Sequence, residues 1–315
     1  MNYTDRGPIL TVFGILLLLV GIAAALLGPV ETYCFYLFSE GGRFHYPGFG
    51  FGSFMFGNIA AQIMGYYVIA ALLIPLGYGH LRAHRWVRKL SLALLWSWLV
   101  VGIPLMVAFF FILAGSKELS PIAAIIAVIA LAVSYFLLPW LLIRFYHSRD
   151  LRLTLQAMDP DPHPVERFPT PLLALTCLYL FYAVVVHVPL FFRGIFPFFG
   201  TFLFDLRGFI LVDAVIALLL ILAWGTIRSR VWAWWGSLLT IGLLTLSTIL
   251  TFLRSSYLGI LESLRFPPTE MEILDGIPLE GVHLAVFFGL PLLATLAVIV
   301  LSRRHFGRPS PSLSQ

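Results

Sequence analysis

Residues 1–30 read MNYTDRGPILTVFGILLLLVGIAAALLGPV, and this stretch decides the fold. From Pro8 to Val30 there is no Asp, Glu, Lys or Arg, and a helix of about 20 apolar residues spans the hydrocarbon core of a bilayer. The run is too long for the apolar core of a secretory signal, and it is preceded by Asp5 beside Arg6 rather than by a basic cluster. It reads as a retained first membrane span.

Working outward, similar runs recur to the end of the chain. Eight spans are expected, at 8–30, 55–78, 90–115, 121–143, 171–191, 209–227, 234–253 and 282–302. Pro8, Pro121 and Pro171 fall in first turns, where a missing N–H costs nothing. The whole composition agrees: 60% of the 315 residues are hydrophobic, 11% are charged and the mean hydropathy is +0.95, whereas soluble domains carry about 25% charged residues. Barrel strands would alternate over about ten residues, and these runs are unbroken. The fold class is therefore an all-α, polytopic helical membrane protein with the lipid bilayer as its surroundings. With the N-terminus inside, fourteen of the twenty Lys and Arg fall on the side of the two termini. By the positive-inside rule this predicts a multi-pass protein of the cell membrane with both termini cytoplasmic.

The chain also echoes itself. Residues 77–90, GYGHLRAHRWVRKL, resemble 224–236, WGTIRSRVWAWWG. Setting Gly79 on Gly225 places Arg82 on Arg228, His84 on Arg230 and Trp86 on Trp232. The end of the fourth span, LLIRFYHSR, matches that of the eighth, VLSRRHFGR. Two tandem units of four spans and the same topology are expected, 1–156 and 157–315. The Pro- and acid-rich segment at about 157–170, AMDPDPHPVERFPTP in its setting, reads as a hinge between them.

The polar residues are few. The basic turn suggests either anion recognition or a cytoplasmic anchor. The second copy replaces Arg85 with Val231 and Arg88 with Trp234, so the anchor reading is preferred for Arg82, Arg85, Arg88, Lys89, Trp86, Arg228, Arg230 and Trp232. Asp213 lies within the sixth span, where an ionisable group is costly and asks for a partner. His187 and His283 fall at similar outer depth, so a proton-linked pair, a metal site or a haem ligand is conceivable on paper; separate interfacial residues are the plainer expectation. Asn58, Gln62 and Tyr66 stripe the second span beside Gly57, Ala61 and Gly65. Ser237, Thr240, Ser247, Thr248 and Thr251 share one arc of the seventh. Both stripes suit contact between helices better than a solute path. Gly7, Gly14, Gly21 and Gly28 recur by sevens along the first span, a packing pattern.

The outer loops are crowded with Phe and Tyr, and the last carries five acids, a thin cation candidate with His283. Cys34 is placed in a hydrophilic connection and Cys177 in a span, so no disulfide is expected. There is no CxxC, HExxH, Walker A or GxSxG motif. The basic residues are dispersed among short loops, which argues against nucleic acid. No cofactor is assigned. A non-catalytic membrane subunit or scaffold, packing against lipid or other membrane-protein subunits, is the leading expectation. A transporter or channel with a path between the units is the alternative, and an intramembrane redox or lipid-modifying enzyme is a weaker one.

Overall fold

The computed structural model describes residues 4–115, 120–277 and 279–307. Eight helical segments in it are long and apolar enough to cross a membrane. They are α1 (Gly7–Phe38), α2 (Phe54–Leu81), α3 (Trp86–Gly115), a broken fourth, α7 (Thr170–Val185) with its 3-10 extension to Phe191, α8 (Asp205–Ile227), α9 (Val231–Arg254) and α12 (Gly281–Leu301). The fourth consists of α4 (Pro121–Ala132), a π-helical turn at Val133–Leu137, and α5 (Leu138–His147). Pro139 has no N–H for the carbonyl one turn back and its ring would clash there, so the widened turn accommodates it. Short helices complete the chain: α6 (Arg149–Met158) at one end, α10 (Tyr257–Leu264) and α11 (Pro268–Asp275) at the other. A small hairpin pairs β1 (Phe196–Phe198) with β2 (Thr201–Leu203), antiparallel, Phe196 opposite Leu203.

One expectation is corrected. Cys34 does not sit in a hydrophilic connection, because α1 continues through it to Phe38. The helix runs on past Glu31 through the aromatic-rich TYCFYLF. Both cysteines are free.

The glycine heptad explains how α1 meets α2. Gly7, Gly14, Gly21 and Gly28 are all buried. A Cβ on Gly14 would lie 2.9 Å from the Gly77 carbonyl, one on Gly21 2.8 Å from Ile74, and one on Gly28 2.7 Å from Tyr67. The partners step back along α2 as the glycines advance along α1, so the helices are antiparallel and in backbone contact. Small residues permit that approach, and in lipid, packing is what holds helices together. On α2, Gly57 is pressed against Phe192, whereas Gly65 faces open space.

Two cores follow. One gathers Leu10, Leu76, Leu92, Leu99, Ile143 and Tyr146 from the first four segments. The other gathers Leu175, Tyr179, Leu219, Trp234, Ile241 and Ile299 from the last four, and also takes Val101. Helix α3 supplies residues to both and packs on α7 and α12 as well as on α5. Ser97 on α3 donates to the Ala174 carbonyl on α7 at 2.9 Å. Helix α3 is thus the seam of the molecule.

At the opposite end, α11 reaches across the seam. Glu270 accepts from the amides of Phe54 (2.6 Å) and Met55 (3.0 Å), while Ser53 accepts from Phe56. The first amides of a helix have no internal acceptor and favour a carboxylate, so Glu270 caps α2.

Gly21→Leu is expected to destabilise the folded state by about 1–3 kcal/mol through overpacking, read as an earlier midpoint in denaturing-detergent titration. Gly65→Leu, which meets no atom within 4 Å, is expected to leave the midpoint unchanged.

Candidate functional site

The two echoing turns adopt one conformation. Ala83 and Ser229 hold the same register and both have positive φ, 50° and 55°. His84 N donates to Gly79 O at 2.9 Å, and Arg230 N donates to Gly225 O at 3.0 Å. A Cβ on Gly79 would strike Trp86 at 2.5 Å, and one on Gly225 would strike Trp232 at 2.5 Å; each glycine is the bed for the following tryptophan. Arg82 lies over Tyr78 and Arg228 over Trp224, at 5.8 and 4.3 Å from the ring centroids. Arg82, Arg228, Arg230 and Trp232 are exposed, as residues at a membrane end would be.

The turns differ in what is added to the first. Arg85, Arg88 and Lys89 are half-buried, and the segment expected to be a hinge is bound to them. Arg85 N donates to Asp159 Oδ2 at 3.0 Å, and its guanidinium donates to Pro160 O at 2.8 Å and Glu166 Oε2 at 2.9 Å. Lys89 Nζ donates to Glu166 O at 3.2 Å. His163 and Glu166 close a capping box around the 3-10 turn Pro164–Arg167, which fixes the carboxylate. Sequence spacing could not show this, because the partners lie 74–81 residues apart.

Behind the linker lies a cavity of about 80 Å3, lined by Arg85, Arg88, Lys89, Arg152, Leu155, Gln156 and Glu166. Four cations thus face one carboxylate. Arg88 spends its Nε on the Tyr146 carbonyl at 2.8 Å, and Arg152, exposed on α6, is near enough to feel its charge. Beneath the cavity Tyr146 bonds His80 Nε2 at 2.6 Å, while His80 Nδ1 takes the Leu76 carbonyl at 2.7 Å. The carbonyl requires a proton on Nδ1, and the buried imidazole is bonded at both ring nitrogens.

The remaining candidates are scattered. His187 Nδ1 bonds the Ala183 carbonyl at 2.6 Å. His283 Nδ1 accepts from Glu280 N at 3.0 Å, and its ring rests on Phe111. Asp213 is exposed on α8, without a hydrogen bond or ion pair among the described residues. Asn58 is half-buried and Gln62 exposed, likewise without hydrogen bonds among the described residues. Among those residues no three His, Cys, Asp or Glu are grouped as a metal ion requires. The seventh-span hydroxyls are all buried. Two of them hold the hairpin: Ser247 bonds Phe199 N (2.9 Å) and Pro197 O (2.8 Å), and Thr251 accepts from Gly200 N at 2.9 Å.

Asp159 gives the linker contact a pH signature. The Arg85 amide is the chief reason its carboxyl is held below the usual range, assisted by His84. A depressed folded pKa contributes stability above the ordinary carboxylate value of about 3.9, lost as pH falls through the lowered one. Protection of amides 159–167 from hydrogen exchange, corrected for intrinsic rate, is expected to hold from pH 8 to about 4 and then to fall; Asp159→Ala should lose it at pH 7. Protection that is indifferent to this substitution would contradict the contact. No protein-family model, no curated protein and no solved structure matches the chain, so its function is read from this geometry.

Proposed function

We propose that this chain is a non-catalytic integral membrane subunit that binds another membrane protein through the outer half of α8. The observation that carries the reading is Asp213. It sits eight residues into α8, roughly 12 Å along the axis, on a face shared with Leu206, Ile210 and Trp224, all exposed. A carboxylate at that depth costs ~3 kcal/mol or more against hydrocarbon unless a partner meets it. The chain supplies none among the described residues. A neighbouring membrane helix that presents a basic side chain or a hydrogen-bond donor would satisfy it.

The transporter reading loses support for the same reason. A path between the units would need Asn58, Gln62, Asp213 and the α9 hydroxyls around one lumen. Gln62 and Asp213 are instead exposed, whereas the hydroxyls are buried, so they share no common lining.

We further infer that the chain consists of two tandem four-span units, 1–156 and 157–315, with both termini cytoplasmic in the cell membrane. The matched turns support the duplication, as does the recurring order in which α1 packs on α2 and α7 on α8. The Lys and Arg bias supports the orientation.

Purification in mild detergent is expected to yield an assembly larger than the 35.3 kDa chain, with fixed stoichiometry. Asp213→Leu should release the chain from it without shifting the denaturation midpoint. A lone monodisperse chain from both proteins would overturn the reading.

A further inference from the structure

We propose that the cavity between the α2–α3 turn, α6 and the linker binds a phosphate group through Arg88, Lys89 and Arg152. Three observations carry this. The first is charge: Arg85, Arg88, Lys89 and Arg152 line the cavity against Glu166 alone. Glu166 is already engaged by Arg85. The second is position. Arg88 and Lys89 lie in the first turn of α3, the end of a helix where the backbone dipole repels cations and attracts anions. A third cation, Arg152, comes from another helix to the same place, so the repulsion is concentrated rather than relieved.

The third observation is the contrast with the second turn. There Trp234 occupies the position of Arg88 and donates its Nε1–H to the Ile299 carbonyl at 2.9 Å. Arg88 donates Nε–H to the Tyr146 carbonyl at 2.8 Å. Both side chains tether the third span of a unit to the end of the fourth. A neutral indole therefore suffices for the tether, and the turn keeps its conformation without charge at 85, 88 or 89. The charges of the first copy serve something other than the turn. Arg85 serves the linker; among the described residues Arg88 keeps both Nη atoms unspent, and the Arg152 side chain is without a hydrogen-bond partner. A guanidinium pair beside an ammonium matches a phosphate, which accepts several charge-assisted hydrogen bonds at once. The cavity, about 80 Å3, exceeds several-fold the roughly 10–15 Å3 one water needs.

The phosphate can come from a lipid headgroup or from solution, and the test separates the two. The full-length chain is placed in nanodiscs of phosphatidylcholine, with or without 10-carbon-chain phosphatidic acid. Its thermal midpoint is followed against that lipid, against inorganic phosphate and against chloride at equal ionic strength. A midpoint rising with phosphatidic acid only identifies a headgroup site; one rising with inorganic phosphate as well identifies a site for phosphate itself. In either case Arg152→Gln, which removes no described contact, should weaken the apparent affinity by at least about tenfold. Arg88→Trp, which installs what the second turn carries, should do the same and keep the midpoint without ligand. Arg82→Gln, outside the cavity, should not alter affinity. No rise beyond chloride, or a rise that Arg152→Gln and Arg88→Trp leave intact, would overturn the proposal.

Discussion

Inside a bilayer no water is present to complete a hydrogen bond, so every polar group must find a partner within protein. Most of this structure follows from that demand. Of the α9 hydroxyls, Thr245 and Thr251 turn to their own helix, Thr245 to the Ile241 carbonyl at 2.6 Å, and Ser247 turns to the hairpin. The hairpin, whose backbone turns through a positive φ at Phe199 and Gly200, is acceptable there because Ser247 and Thr251 receive its amides. Tyr182 gives its hydroxyl to Thr295 and the Pro291 carbonyl at 2.8 and 3.1 Å. His80 is bonded at both nitrogens. Charge is left to the two ends of the bundle, with Asp213, exposed on α8, the exception.

The same demand gives the halves different tasks. The last four segments enclose a broad core, with 44% of the best apolar window of α7 buried and 39% of those of α8 and α9. In the first four the shares are 22, 11, 22 and 6%, so these helices present most of their surface outward. They are held by the glycine seam of α1 on α2, by α3, and by the ties at each end: Glu270 on α2, and Arg85 on the linker. The chain thus has a packed half and an open half.

How much of this was legible in the sequence depends on range. Length and hydropathy sufficed for the spans, because a helix in lipid needs nothing but about 20 apolar residues. The shared turn was legible in Gly79 and Gly225, since only the absence of a Cβ lets Trp86 and Trp232 lie on the backbone. The glycine heptad announced packing; α2 is the partner of Gly14, Gly21 and Gly28, while Gly7 meets Met158 of α6. What could not be read was whatever depends on two distant segments meeting. Glu270 looked like a cation ligand in an acidic loop and proves to be a helix cap 216 residues away. The linker looked free because nothing local shows that Arg85 would hold it. That Arg88 and Lys89 share a cavity with Arg152 was hidden, because Arg152 comes from a helix too short and polar to register among the spans. The π-helical turn was equally hidden, as a proline alone does not say how its clash will be relieved.

On the proposed reading the interior is sealed, with polar residues joining helices and no aqueous path between the halves among the described residues. Cysteine accessibility tests it most directly. In a background lacking Cys34 and Cys177, single cysteines at Asn58, Gln62, Ser237, Thr240 and Ser247 are exposed to a membrane-impermeant maleimide from each side of the membrane in turn. The sealed interior predicts no labelling at Ser237, Thr240 and Ser247 from either side. Labelling that continues along these positions from one face to the other would establish a water-filled path and contradict the account.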